Sequence, residues 1–428
     1  MIRKLKRYLE QCDMQSVELM VLSLGANVLN YVFQLMLGRM LPISEYGEYN
    51  AVNSLISNLQ NFFTPLTITA CKITAEKIGM RQVNSIKYKQ IIKAMCIVAI
   101  LLLAIGALLY PKLNGAYCSN SLWSWMIVLN TVIVLAVYAL MMAIMQGRKM
   151  FRLYGWVGLF LILLKIIFSC IAVKIGTGVT GCVFALLLSN FILAVISLIV
   201  LKRGDGEDSY NIERGEGFKK LELIRGYGLT FITGIIFSLY ISGGEVMLLN
   251  HAFDSEQVGL YSAIASLGKI SFFVVSIVFV IILPNVSVIK DDGVRLKKTI
   301  RKTVALSLVL VLVYASLYQL LGKTIVTISY GEKYANGVYM IKYVNIYVML
   351  ISLMGILHNV LIGIDKLKKY TVCTSTIVLI TIFIAVGYAR SIQMMLTIII
   401  VSLIVIIMNQ ICIIHKYVER SIEAQDEL

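Results

Sequence analysis

Runs of about 20 apolar residues recur along the whole chain, and that length is what an α-helix needs to cross the hydrocarbon of a bilayer. Lipid offers no water to satisfy backbone N–H and C=O groups, so each such run must satisfy its own. Hydropathy places twelve candidate spans, at 16–38, 48–71, 91–110, 122–145, 153–173, 181–201, 226–250, 258–284, 303–321, 338–363, 371–389 and 393–414. Charged residues make up only 14% of the 428 residues, against about 25% in soluble domains. A soluble enzyme is excluded. So is a secreted disulfide scaffold, because Cys12, Cys71, Cys96, Cys118, Cys170, Cys182, Cys373 and Cys412 are scattered through apolar segments without pairing or metal-ligand spacing.

The net charge is +16, from 39 Lys and Arg against 23 Asp and Glu. These cations sit in short loops between apolar runs, where they specify topology rather than nucleic-acid binding. The segments 1–15, 72–90, 146–152, 202–225, 285–302 and 364–370 are basic, and the intervening loops hold only Arg39, Lys112, Lys174, Lys323, Lys333 and Arg390. The alternation is unbroken, so both termini are expected in the cytoplasm of a multi-pass inner-membrane protein. The basic start leads into a full-length span with no small-residue cleavage site, so it reads as an anchor rather than a removable signal.

The longest polar segment, 202–225, divides the spans six and six. A repeat supports the division: SEYGEYNAVNSL at 44–55 and EQVGLYSAIASL at 256–267 align Gly47 with Gly259, Tyr49 with Tyr261, Ala51 with Ala263, Ser54 with Ser266 and Leu55 with Leu267. Six spans per half give both copies the same orientation, a parallel repeat suited to alternating access. The expected fold is therefore an all-α polytopic membrane protein with two six-helix lobes around a central cavity. The lobes are 1–201 and 226–414, joined by a cytoplasmic linker at 202–225 and followed by a tail at 415–428.

The stretches LGRMLPISEYGEYNAVNSLISNL at 37–59 and FDSEQVGLYSAIASLGKISFFVVSIVFVIILPNVS at 253–287 resemble the signatures of Wzx-type oligosaccharide flippases. That superfamily also holds multidrug and toxin exporters and lipid II flippases. The resemblance implies a cavity lined mainly by spans 1, 2, 7 and 8, and a substrate of undecaprenyl-diphosphate-linked oligosaccharide. Many relatives carry an Asp-Arg pair late in span 7, where this chain has Glu245-Val246.

Polar residues inside the spans are the candidate site. Asn50, Asn53, Ser57, Asn61 and Thr64 recur at helical spacing along span 2 and make one stripe, either a cavity wall or a helix–helix contact. The repeat maps Asn50 to Ser262, Ser57 to Lys269 and Thr64 to Ser276, and Ser266 belongs to the repeated string itself. Lys269 lies roughly 18 Å deep at 1.5 Å per residue, near the midplane, where a charge usually marks a pathway. Lys165 in span 5 is equally deep and either approaches the cavity or pairs within its own lobe. Arg39 ends span 1 as a headgroup contact or an interfacial anchor, and Lys342 lies near its span's end, where it can snorkel. Glu245 either titrates during transport or pairs with Arg39.

Gly322-Lys323-Thr324 resembles the end of a P-loop, but Leu317 stands where the first Gly belongs. His251, His358 and His415 form no metal-ligand spacing. The expected function is a secondary carrier with no cofactor and no enzymatic activity. It would flip a lipid-linked oligosaccharide for cell-envelope polysaccharide biosynthesis, with membrane lipids and a polysaccharide polymerase or assembly complex as partners. The competing readings are a multidrug exporter and a non-transporting envelope assembly protein.

Overall fold

The computed structural model describes residues 14–64, 66–68, 70, 71, 74, 93, 95–101, 103–106, 108, 122–204, 240, 242–272, 275, 282, 286, 289, 292–364 and 367–426. Regular structure among them is entirely helical. The helices are α1 (Met14–Met40), α2 (Ile43–Gln60), α3 (Leu122–Gly147), α4 (Phe151–Ile175), α5 (Gly178–Gly204), α6 (Gly244–Ala252), α7 (Ser255–Gly268), α8 (Gly293–Tyr330), α9 (Ile341–Gly363), α10 (Leu367–Tyr388) and α11 (Ile392–Asp426). A shorter apolar helix runs Met95–Gly106. Seven of the described helices are long and apolar enough to cross a membrane. The basic start 1–13, the loop around Cys118, most of the linker 202–225, Ser276 and the Pro at 284 lie outside the described residues.

The chain divides into two compact units, Met1–Tyr227 and Gly228–Leu428. In the first unit α1 packs along α4, and α5 packs against both α3 and α4. Arg152 Nε and Trp156 Nε1, both on α4, donate to Glu18 Oε1 of α1 at 3.1 and 3.3 Å. Ser124 and Thr180 share a hydrogen bond of 2.9 Å between α3 and α5.

In the second unit α9 is the most deeply enclosed span, packed against α7, α8 and α11. Gln410 Nε2 of α11 reaches the Met354 carbonyl of α9 at 3.2 Å, so a polar side chain at the core of the unit has a backbone acceptor.

Two helices outrun their expected spans. α8 begins ten residues before the expected start at 303, and α11 runs to Asp426, so its helix continues through most of the segment 415–428. The cause is local pattern. Leu296, Val418 and Ile422 recur among the charges at helical spacing, and Leu296 and Val418 are buried. A hydropathy window averages those residues with their charged neighbours and ends the span early.

Candidate functional site

The two helices joined by the turn at Phe253–Asp254 hold the charged centre of the second unit. α6 begins abruptly. The chain bends at Ser242 and Gly243, and Gly243 adopts φ 89°, a left-handed conformation that favours glycine. Glu245 therefore stands in the first turn of a helix that starts inside the expected span. α7 is interrupted after Gly268 by the single turn residue Lys269, and helical backbone resumes at Ile270. A carboxylate at a helix N-terminus complements the helix dipole. Lys269 Nζ donates to Glu245 Oε1 at 2.6 Å. The Lys269 side chain is 16% exposed and that of Glu245 only 1%.

Interruptions weaken the backbone pairing of a helix, which in lipid is costly. Tyrosines supply the donors here. Tyr314 Oη donates to the Leu267 carbonyl at 2.6 Å and Tyr318 Oη to the Ile264 carbonyl at 2.9 Å, both at the end of α7. Tyr347 of α9 donates to the Tyr240 carbonyl just before the bend that starts α6. The Tyr347 ring also lies 5.9 Å from Lys269 Nζ, as a cation–π partner. Gly268 lets α7 approach α9 this closely, because a Cβ there would run into Val344. Glu245 Oε2 is buried with no hydrogen-bond partner among the described residues, and Tyr261 and Tyr347 are its electrostatic neighbours.

Lys165 is different. It is 8% exposed on α4, with Nζ 4.1 Å from the ring centroid of Phe33 on α1. No carboxylate pairs with it among the described residues. The Phe33 ring meets Tyr49 of α2 edge-on at 6.2 Å. The Tyr49 hydroxyl and Ser169 Oγ, one turn from Lys165, are buried without partners. Unit 1 thus encloses a cation and two polar groups and offers them one aromatic face.

The polar stripe of α2 turns back on its own helix. Asn50 donates to the Tyr46 carbonyl at 2.7 Å, Ser57 to Asn53 at 2.8 Å and Asn61 to Ser57 at 3.0 Å, each one turn earlier. Asn50, Asn53, Ser57, Asn61 and Thr64 are all half-buried. Ser262 is buried with its hydroxyl unpartnered. Ser266 bonds the Ala263 carbonyl at 2.8 Å and the Tyr330 hydroxyl at 2.6 Å. Arg39 is exposed in the last turn of α1, and Lys342 is exposed at the start of α9 with Nζ 5.0 Å from the Tyr343 ring. Of the expected residues, the structure joins Lys269 to Glu245. Gly322-Lys323-Thr324 lies within the continuous helix α8, which excludes a phosphate-binding loop there. No cluster of metal-ligating side chains occurs among the described residues. The tyrosines at 314, 318 and 347 escaped sequence reading, because nothing in their spacing shows that they face carbonyls on other helices.

The fold is similar to that of solved membrane transporters. An inward-facing multidrug resistance MATE family transporter superposes with a TM-score of 0.67 at 11% identity, covering 93% of this chain and 96% of that one. Lipid II flippase MurJ in an inward closed conformation gives 0.69 at 11% identity, covering 95% and 90%. A MOP superfamily transporter from Pyrococcus furiosus gives 0.58 at 12% identity, covering 94% and 95%. The polysaccharide biosynthesis protein family model matches residues 36–339, and the chain belongs to that family. No curated protein matches the sequence.

Proposed function

We propose that this protein is a secondary transporter that flips an undecaprenyl-diphosphate-linked oligosaccharide from the cytoplasmic to the outer leaflet of a bacterial inner membrane by alternating access. Lys269 carries the proposal. It is a cation within the expected eighth span, ion-paired to Glu245 and still partly exposed. Such a charge costs about 2.5–3.5 kcal/mol to insert and usually marks a pathway. Family membership and the transporter fold support the reading.

In this mechanism the anionic headgroup competes with Glu245 for Lys269. Lysine suits a diphosphate as a compact point charge. Releasing Lys269 leaves Glu245 buried without a counter-charge, which ties the state of the pair to the bound headgroup. Glu245 is thus the proposed coupling residue. Lys165 and Arg39 are proposed as further contacts for the headgroup, and Asn50, Asn53, Ser57, Asn61, Ser262 and Ser266 as contacts for sugar hydroxyls. The lipid tail stays in the bilayer. An inside-negative potential favours outward movement of the headgroup by about 2.3 kcal/mol per charge per 100 mV. No covalent step is involved.

Native mass spectrometry of the purified protein tests the substrate class. A retained polyprenyl-diphosphate glycan is the expected result. Retention of lipophilic cations with no diphosphate lipid would replace the proposal with a multidrug exporter.

A further inference from the structure

α8 measures the membrane by itself. It carries no charged side chain from 303 to 322, and Lys302 and Lys323 close that stretch at its two ends. At 1.5 Å per residue these lysines are about 31 Å apart, close to the thickness of the hydrocarbon. Lys302 therefore marks one membrane surface, and the turns from Gly293 to Lys302 stand in the headgroup layer and just beyond it.

The face that these turns present is set by the rest of the helix. Lys297, Arg301, Ala305, Val309, Val313, Leu317 and Leu321 follow one another at one-turn spacing, and all are exposed. Lys298, Lys302, Leu306 and Leu310 form a second exposed row. In both rows cations give way to apolar side chains without a change of face. The opposite face holds Leu296, Ser307, Val311 and Tyr318, all buried. The exposed apolar rows contain no polar side chain below Lys302, so they face acyl chains. The cations above them face the headgroups of the same lipids.

Those cations are unspent. Arg295 is paired with Asp292 at 3.1 Å, and Asp292 also caps the helix by accepting from the Arg295 N–H at 2.9 Å. Lys297, Lys298, Arg301 and Lys302 have no acidic partner among the described residues. Their platform is firm, because Gly293 sits against the backbone of α11. A Cβ there would lie 2.9 Å from Ile422 N and 3.0 Å from the Val418 carbonyl oxygen.

We infer that Lys297, Lys298, Arg301 and Lys302 form a binding surface for anionic phospholipid headgroups, which the proposed orientation places in the cytoplasmic leaflet. Each cation near an anionic surface adds attraction that salt screens within about 8–10 Å. The surface fixes the depth of α8 and of the α11 end packed on it. The inference needs only a membrane-spanning α8, so it stands apart from the transport reading.

The test is native mass spectrometry of the full chain equilibrated with equal amounts of phosphatidylglycerol and phosphatidylcholine. Wild type is expected to retain phosphatidylglycerol in preference, and the preference should shrink as ionic strength rises. The combination Lys297→Gln, Lys298→Gln, Arg301→Gln and Lys302→Gln should weaken that preference about tenfold or more. If that variant fails to assemble, Lys297→Gln with Lys298→Gln, and Arg301→Gln with Lys302→Gln, should each lose part of it. Variants that keep the wild-type preference overturn the inference. A parallel arm offers undecaprenyl diphosphate. If the variants lose that lipid while phosphatidylglycerol stays bound, the surface captures substrate and the phospholipid assignment is wrong.

Discussion

Lys269 and Glu245 meet at 2.6 Å across two helix ends, with Lys269 sixteen times as exposed as its partner, at 16% against 1%. The pair is therefore asymmetric. The lysine is the more accessible partner, and the carboxylate stays enclosed beside Tyr240, Tyr261 and Tyr347.

That arrangement makes the two residues energetically coupled. Glu245→Gln alone and Lys269→Gln alone should each lower the melting temperature of the purified protein, by a loss on the order of 3–5 kcal/mol, because each leaves a buried charge without its partner. The double variant should recover much of the loss. Additive effects in this double-mutant cycle would contradict the pairing.

Sequence pattern revealed the all-helical membrane class and the family. It did not reveal the pairing of Lys269 with Glu245. The two lie 24 residues apart on different helices, and they meet only because α6 and α7 form a hairpin at Phe253–Asp254. Gly243, Gly244 and Gly268 were the available signs of the helix breaks, but they sit within apolar runs that hydropathy reads as continuous. The extensions of α8 and α11 were missed for the reverse reason, since their charges outweigh Leu296 and Val418 in any window. The α2 stripe was legible as a stripe, yet its side chains bond their own helix at Tyr46, Asn53 and Ser57, which spacing alone does not show.

The break at Gly268 depends on its neighbours. Gly268→Ala forces the new methyl group into Val344 and should destabilise the second unit by about 1–3 kcal/mol. Val344→Ala in the same chain should relieve part of that loss. An alanine at 268 that leaves thermal stability unchanged would argue against the close approach of α7 to α9.

Tyr314→Phe removes the hydroxyl that caps the Leu267 carbonyl. The expected cost is about 1–3 kcal/mol, since a buried acceptor loses its donor. Tyr339→Phe, at an exposed position, is the control and should be neutral. Equal melting temperatures for the two variants would show that the end of α7 needs no donor.

Orientation is open to chemical labelling. Cys412 is exposed on α11, and an impermeant thiol reagent should reach it and Cys12 only after the membrane is permeabilised. Cys118 should react from outside in intact cells. Labelling of Cys12 in intact cells would reverse the proposed topology.

The most direct measurement is the rate at which purified protein in proteoliposomes exposes an undecaprenyl-diphosphate-linked oligosaccharide to a glycan-binding probe on the far side. Wild type should flip the lipid. Lys269→Gln, at equal protein level, should flip it slowly or not at all, and Lys269→Arg should retain part of the rate because it keeps the charge. Wild-type protein that moves no diphosphate lipid, or a Lys269→Gln variant that moves it at the wild-type rate, would contradict the account.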